Sequence, residues 1–278
     1  YKNVTALQPT RYDALNNLGN LYANRNVFIE AEKYYRQAIN VKTDYAEAHY
    51  NLGNLKAAQG QISDAIDYYR ESLSYNPANI QASLNLANSL VNVGKDDEAE
   101  EVYNRLLVLK GNYAPAYNNL GTLLLKRGCV EDARDQFSKA IALDNNYMAA
   151  HQNLSQITKY NSKHHHLKVM LSLNEQKTWS DEERCLLSFA LAKAYEDSRN
   201  YKSAFEKYEE GNALRKKSLR YNIVQDRKLF GSLIRIQSQF DEVRAYFKNS
   251  FLTKIPVFIV GMPRSGTTLV EAIISKHS

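Results

Sequence analysis

Residues 46–79 read AEAHYNLGNLKAAQGQISDAIDYYRESLSYNPAN, and this 34-residue unit decides the fold because it recurs. Copies begin at Tyr12, Ala46, Ile80 and Ala114. Their seventh and eighth positions are Leu18-Gly19, Leu52-Gly53, Leu86-Ala87 and Leu120-Gly121. A small eighth residue lets a second helix approach closely. The twentieth position is Ala31, Ala65, Ala99 and Ala133, a second close-contact point. The twenty-fourth is Tyr35, Tyr69, Tyr103 and Phe137, a large ring that fills the space between helix pairs. A fixed period of this length marks a stack of helix pairs, each burying its apolar face on its neighbours. The expected fold is mainly α, an α-solenoid.

Period, small residues and aromatic positions together resemble the tetratricopeptide repeat (TPR), which implies a right-handed superhelix of helix pairs. Running the frame backward puts Tyr1 at an aromatic position and Pro9 at the closing proline. Residues 1–11 therefore read as the end of an upstream repeat, and the chain is expected to be truncated at both ends. Four units follow at 12–45, 46–79, 80–113 and 114–147. A degenerate fifth covers 148–184, with Met148–Tyr160 as its first helix, Leu154-Ser155 at the paired positions and His164–Glu175 as its partner helix. The period then slips by three residues, and a last TPR-like pair occupies 185–219. It is opened by Ser180-Asp181-Glu182-Glu183 as an N-cap with acidic first-turn residues. Leu191-Ala192, Tyr195, Ala204 and Tyr208 hold its diagnostic positions, and Gly211 is expected to loosen its second helix. Residues 220–255 read as a linker helix, amphipathic at Leu229, Leu233, Ile236, Phe240 and Val243.

A TPR stack presents its first helices along a concave groove. The sixth position of each unit is asparagine: Asn17, Asn51, Asn85, Asn119 and Asn153. The ninth, on the same face, is Asn20, Asn54 and Asn88, then Thr122 and Gln156. A carboxamide both donates and accepts, so it can pair with a peptide unit without reading its side chain. The ladder resembles that in the TPR superhelix of O-linked N-acetylglucosamine transferase, which implies a protein or peptide partner. The bland alternative is local packing. A carboxylate clamp for a chaperone tail would need basic residues where Asn16, Gln81 and Asn85 stand.

Residues 256–278, PVFIVGMPRSGTTLVEAIISKHS, carry the chemistry. Val257–Val260 has strand character, Gly261 and Gly266 bracket a tight loop, and Thr267 onward reads as a helix with Leu269/Ile273 and Val270/Ile274 stacked. Strand, glycine loop and helix N-terminus make a phosphate cradle. The spacing is that of the nucleotide P-loop, except that Thr267 stands at the lysine position, which opposes a nucleotide hydrolase. Arg264 inside the loop offers a bidentate guanidinium, and Ser265, Thr267 and Thr268 add hydroxyls. P-R-S-G-T-T-L after a strand resembles the 5′-phosphosulfate loop of sulfotransferases, above all the tyrosylprotein and TPR-containing bacterial enzymes. That resemblance implies an α/β P-loop-like domain, of which the first strand, loop and helix are here. It implies PAPS (3′-phosphoadenosine 5′-phosphosulfate) as donor, no metal, and transfer to a hydroxyl acceptor such as a protein tyrosine. Arg264, Ser265, Gly266, Thr267 and Thr268 would hold the phosphosulfate, and Arg264 would also stabilise charge on the bridging oxygen. The base and 3′-phosphate site are expected beyond Ser278. The alternative is a non-catalytic TPR scaffold for protein–protein interaction.

Charge is uneven along the 278 residues: 1–160 hold 16 basic and 17 acidic side chains, 161–278 hold 20 and 13. A basic C-terminal part suits a polyanionic donor. No groove-reading motif accompanies it, so nucleic acid is not expected as a partner. Cys129 and Cys185 indicate neither a disulfide framework nor a zinc site. His164-His165-His166 lack the i,i+4 spacing of a helical metal site, and His151 reads as packing at the groove rim. No run reaches membrane-span length, and the expected location is cytoplasmic.

Overall fold

The computed structural model describes residues 11–176, 178–219, 224 and 227–232. The chain divides after Arg220 into two units. The first unit holds α1 (Tyr12–Ala23), α2 (Phe28–Val41), α3 (Ala46–Ala58), α4 (Ile62–Tyr75), α5 (Ile80–Asn92), α6 (Asp96–Leu109), α7 (Ala114–Lys126) and α8 (Val130–Leu143). It continues with α9 (Met148–Ile157), α10 (His165–Glu175), α11 (Asp181–Asp197) and α12 (Tyr201–Ser218). Of the linker expected at 220–255, residues 224 and 227–232 are described, and they are helical. Residues 1–10 and the expected strand, loop and helix of 256–278, with Arg264, Ser265, Gly266, Thr267 and Thr268, lie outside the described residues.

The first eight helices form four pairs. Each second helix packs on its own first helix and on the first helix of the next pair, while α1, α3, α5, α7 and α9 also touch in succession. The first helices therefore line the inner side of the stack. Ala31, Ala65, Ala99 and Ala133 are fully buried at the helix crossings. A cluster runs unbroken from Ala65 and Tyr69 through Leu86, Leu90 and Tyr103 to Leu120 and Leu123, so each pair completes its neighbour's core. At the eighth position the ring of the second helix lies directly against the backbone of the first. A methyl on Gly53 would sit 2.6 Å from the Tyr69 ring and one on Gly121 2.7 Å from that of Phe137.

The turn inside each pair has its own chemistry. Asn26, Gly60, Gly94 and Gly128, all at the fifteenth position, have φ of 58, 76, 77 and 81°. Glycine meets no Cβ penalty in that region. The next residue's N–H then reaches back to the first helix, as Gln61 N does to the Lys56 carbonyl at 2.9 Å, a Schellman-type ending.

The fifth unit departs from this plan. α9 stops at Ile157, and Thr158 is extended (φ −100°, ψ 135°). α9 packs on α8 and α11, whereas α10, expected as its partner, packs on α11. Two bonds account for the change of course. Thr158 Oγ1 donates to the Leu154 carbonyl at 2.7 Å, and Tyr160 N donates to Asp197 Oδ2 at 3.1 Å, tying the connection to the end of α11. α11 itself begins with a capping box: Ser180 Oγ accepts from Glu183 N, and Glu183 Oε2 accepts from Ser180 N at 2.8 Å. α12 packs closely on α11 through Gly211, where a methyl would lie 3.2 Å from the Phe189 ring. The helix runs unbroken through that glycine from Tyr201 to Ser218. Among the described residues no helix is long and apolar enough to cross a membrane.

Candidate functional site

The asparagines of the sixth and ninth positions lie half-buried on the first helices, and they are not equivalent. The ninth-position oxygens face the fold. Asn20 Oδ1 accepts from the Tyr35 hydroxyl at 2.8 Å, Asn54 Oδ1 from Tyr69 at 2.9 Å, and Asn88 Oδ1 from Tyr103 at 2.6 Å. Two of them accept a second bond from the next unit: Asn85 Nδ2 donates to Asn54 Oδ1 and Asn119 Nδ2 to Asn88 Oδ1, both at 2.8 Å. At the ends of the row the partner shifts by one helical turn, from the ninth position to the fifth. Asn51 Nδ2 donates to Asn16 Oδ1 at 3.0 Å, and Asn153 Nδ2 to Asn118 Oδ1 at 2.9 Å. Asn16 and Asn118 are almost wholly buried, and Asn16 also donates to Glu47. Part of the ladder is thus inter-repeat packing, the bland alternative.

What remains free is ordered. Among the described residues, Nδ2 of Asn20, Asn54 and Asn88 donates to no other residue, and Oδ1 of Asn51 and Asn85 accepts from none. Asn17 has no hydrogen-bonding partner among them. Burial raises the Tyr35 phenol to about 12 and pushes those of Tyr69 and Tyr103 up as well. These hydroxyls therefore stay protonated donors through the ordinary pH range. The face is neutral at its centre, with acidic Asp13 and Glu47 toward the α1 end.

Three segments, 10–78, 56–124 and 114–147, match the tetratricopeptide repeat family. The helical stack is a TPR solenoid. Its fold is similar to that of PilF of Pseudomonas aeruginosa (TM-score 0.56, 19% identity, 80% of this chain and 97% of that one). It is also similar to YrrB, described as a TPR protein with an unusual peptide-binding site (TM-score 0.52, 18% identity, 75% and 97%). An uncharacterised protein of Aquifex aeolicus is 28% identical over 123 residues, 44% of this chain. That stretch is 16% of the relative's length, so the chain matches only a small part of it. Residues 256–278 match the sulfotransferase family.

The TPR stack holds a second polar cluster, which the sequence does not announce. His151, read there as a rim residue, is fully buried in α9. Its Nε2 lies 2.9 Å from the Asn145 carbonyl, which can only accept, so Nε2 carries the proton. His151 Nδ1 then accepts from His166 Nε2 at 2.8 Å, and His166 Nδ1 from the Tyr160 hydroxyl at 2.6 Å. Burial, reinforced by the neighbouring histidines, depresses His166 to about 3, and burial lowers His151. Both rings are neutral at pH 7. The signal for this arrangement is positional. His49 occupies the same fourth position three units earlier, and its Nε2 meets the Thr43 carbonyl at 2.9 Å. Among the described residues no three His, Cys, Asp or Glu side chains gather as metal ligands.

Proposed function

We propose that the TPR stack holds an extended polypeptide along the inner face of α1, α3, α5, α7 and α9, pairing its main chain with asparagine carboxamides. The observation that carries this reading is the row of half-buried, uncharged carboxamides with unused donors and acceptors. Such groups match peptide units and are indifferent to side chains. The peptide-binding site described for YrrB, a protein of similar fold, is in keeping with it.

The same proposal extends to residues 256–278, whose match to the sulfotransferase family adds to the P-R-S-G-T-T-L loop. The function best supported is sulfuryl transfer from PAPS to a hydroxyl, with a tyrosine of the groove-bound polypeptide as first candidate acceptor. In that reaction the acceptor hydroxyl gives its proton to a general base while its oxygen bonds to sulfur in line with the departing phosphate. The sulfur–oxygen bond to that phosphate breaks, and adenosine 3′,5′-bisphosphate leaves with the electron pair. Arg264 and the loop donors stabilise the charge that gathers on the bridging oxygen. A non-catalytic scaffold is the competing reading, favoured by the TPR matches covering 10–147 while the sulfotransferase match covers 256–278 alone.

Titration with adenosine 3′,5′-bisphosphate and with ATP, on a protein that continues past residue 278 to include the 3′-phosphate site, separates the two. The enzyme reading expects the bisphosphate to bind more tightly than ATP and Arg264→Ala to abolish that preference. Equal or absent binding of both nucleotides favours the scaffold.

A further inference from the structure

The sequence gives the twenty-fourth position one evident task, filling the gap between helix pairs, and phenylalanine would do that as well as tyrosine. The hydroxyls are nonetheless used in the same way three times, each donating to the ninth-position Oδ1 of its own unit at 2.6–2.9 Å. The fourth unit supplies an internal control. Phe137 replaces the tyrosine there, and in that unit alone of the four the ninth residue is Thr122. Phe137 is fully buried, as are Tyr69 and Tyr103, so the slot accepts either ring. Within these four units phenol and carboxamide are present together or absent together.

An asparagine amide can present either end to a ligand, and a half-turn of its side-chain amide exchanges donor for acceptor. The tyrosine removes that freedom. With the oxygens of Asn54 and Asn88 each holding two inward hydrogen bonds, their NH₂ groups are left as donors on the inner face. Asn85 spends its Nδ2 on Asn54, with Tyr50 Oη at 3.5 Å, and Asn51 spends its own on Asn16. Both leave Oδ1 as an acceptor. At Asn54 and Asn88 the ninth position therefore offers donors, and at Asn51 and Asn85 the sixth offers acceptors, whereas Asn119 Oδ1 is taken up by Asn118 Nδ2 at 3.2 Å.

We infer that Tyr35, Tyr69 and Tyr103 are positioning residues which fix the carboxamides into an alternating donor–acceptor array, and that its ligand is the main chain of an extended polypeptide. An extended strand carries alternating C=O and N–H groups along each edge, which is the complement of that array. This rests on the groove reading above and adds that selection is for backbone amide hydrogens, made through side chains that never touch the ligand.

The test uses a capped fifteen-residue peptide of alanine, serine and threonine and its counterpart N-methylated at alternate residues, binding read by fluorescence anisotropy. The unsubstituted protein should bind the first at least about tenfold more tightly, the effect of losing one or more hydrogen bonds. In the Tyr35→Phe/Tyr69→Phe/Tyr103→Phe protein the preference should shrink to about twofold or less, with an unchanged helical circular-dichroism spectrum, because the carboxamides can then reorient. The ¹⁵N-detected rotation of the Asn54 and Asn88 NH₂ groups should quicken in the same variant, a change that loss of packing alone would not localise there. Full discrimination and unaltered NH₂ rotation in the Phe variant would overturn the positioning role while leaving the groove in place. Failure of the unsubstituted protein to bind either peptide would overturn both.

Discussion

In the first four helix pairs, glycine or alanine at the eighth position receives a buried ring from the second helix, and the phenols among those rings donate to neutral amides, while the buried titratable groups His49 and Lys56 each face a carboxylate, Glu71 and Glu32. At the fifth unit the pairing partner has been exchanged, and the buried polar contact is a chain of titratable rings, Tyr160, His166 and His151. The regular pairs are fixed by shape and should respond to added volume. The joint is fixed by a set of tautomers and should respond to protons. One period in the sequence therefore covers two modes of cohesion with different weaknesses.

The largest effect should come from crowding the regular seam. Gly53→Val puts branched carbon where even a methyl would stand 2.6 Å from the Tyr69 ring, and urea unfolding should show a loss of about 3 kcal/mol. Gly53→Ala should cost only about 1 kcal/mol, because Ala87 and Tyr103 occupy the equivalent slots of the third pair fully buried. Equal tolerance of valine would mean that the close approach does not hold the pairs together.

Acid should act on the joint first. The unfolded chain binds protons on these histidines below about pH 6.5, whereas folded His166 resists them down to about 3. The native contribution is therefore intact above pH 6.5 and is lost progressively as pH falls through that interval. Hydrogen exchange at pH 5 should show α9 and α10 losing protection before α3–α6, and His166→Phe should flatten the difference. Uniform loss along the stack would contradict the contrast between the two regions.

The smallest effect lies at the surface between the third and fourth pairs. Arg127 reaches Asp97 at 2.6 Å and Glu100 at 2.5 Å. Arg127→Ala should cost about 0.5 kcal/mol, and less in high salt, as read by chemical denaturation.

The regular half of the fold was legible because its determinants are local: a small residue, an alanine and a ring at fixed positions state where helices must touch. The joint was harder to read. α10 follows α9 in sequence, but Asp197, a distant residue, recruits the Tyr160 backbone and redirects the chain. Position fifteen was overlooked for a simpler reason. Asn26 stands where the other units have glycine, and only its φ of 58° reveals the shared turn. The asparagine ladder was visible as composition, but the division of labour between its two rows depends on which neighbour each amide meets. That is a property of packing between units 31 to 35 residues apart.

The claim on which the rest depends is that the inner face grips a polypeptide main chain. Fluorescence anisotropy of a labelled, uncharged fifteen-residue peptide, titrated with the protein and with its Asn51→Ala/Asn85→Ala/Asn119→Ala variant, tests it most directly. The account predicts saturable binding weakened at least about tenfold in a variant that remains fully helical. Equal affinity of the two proteins for the peptide would contradict it.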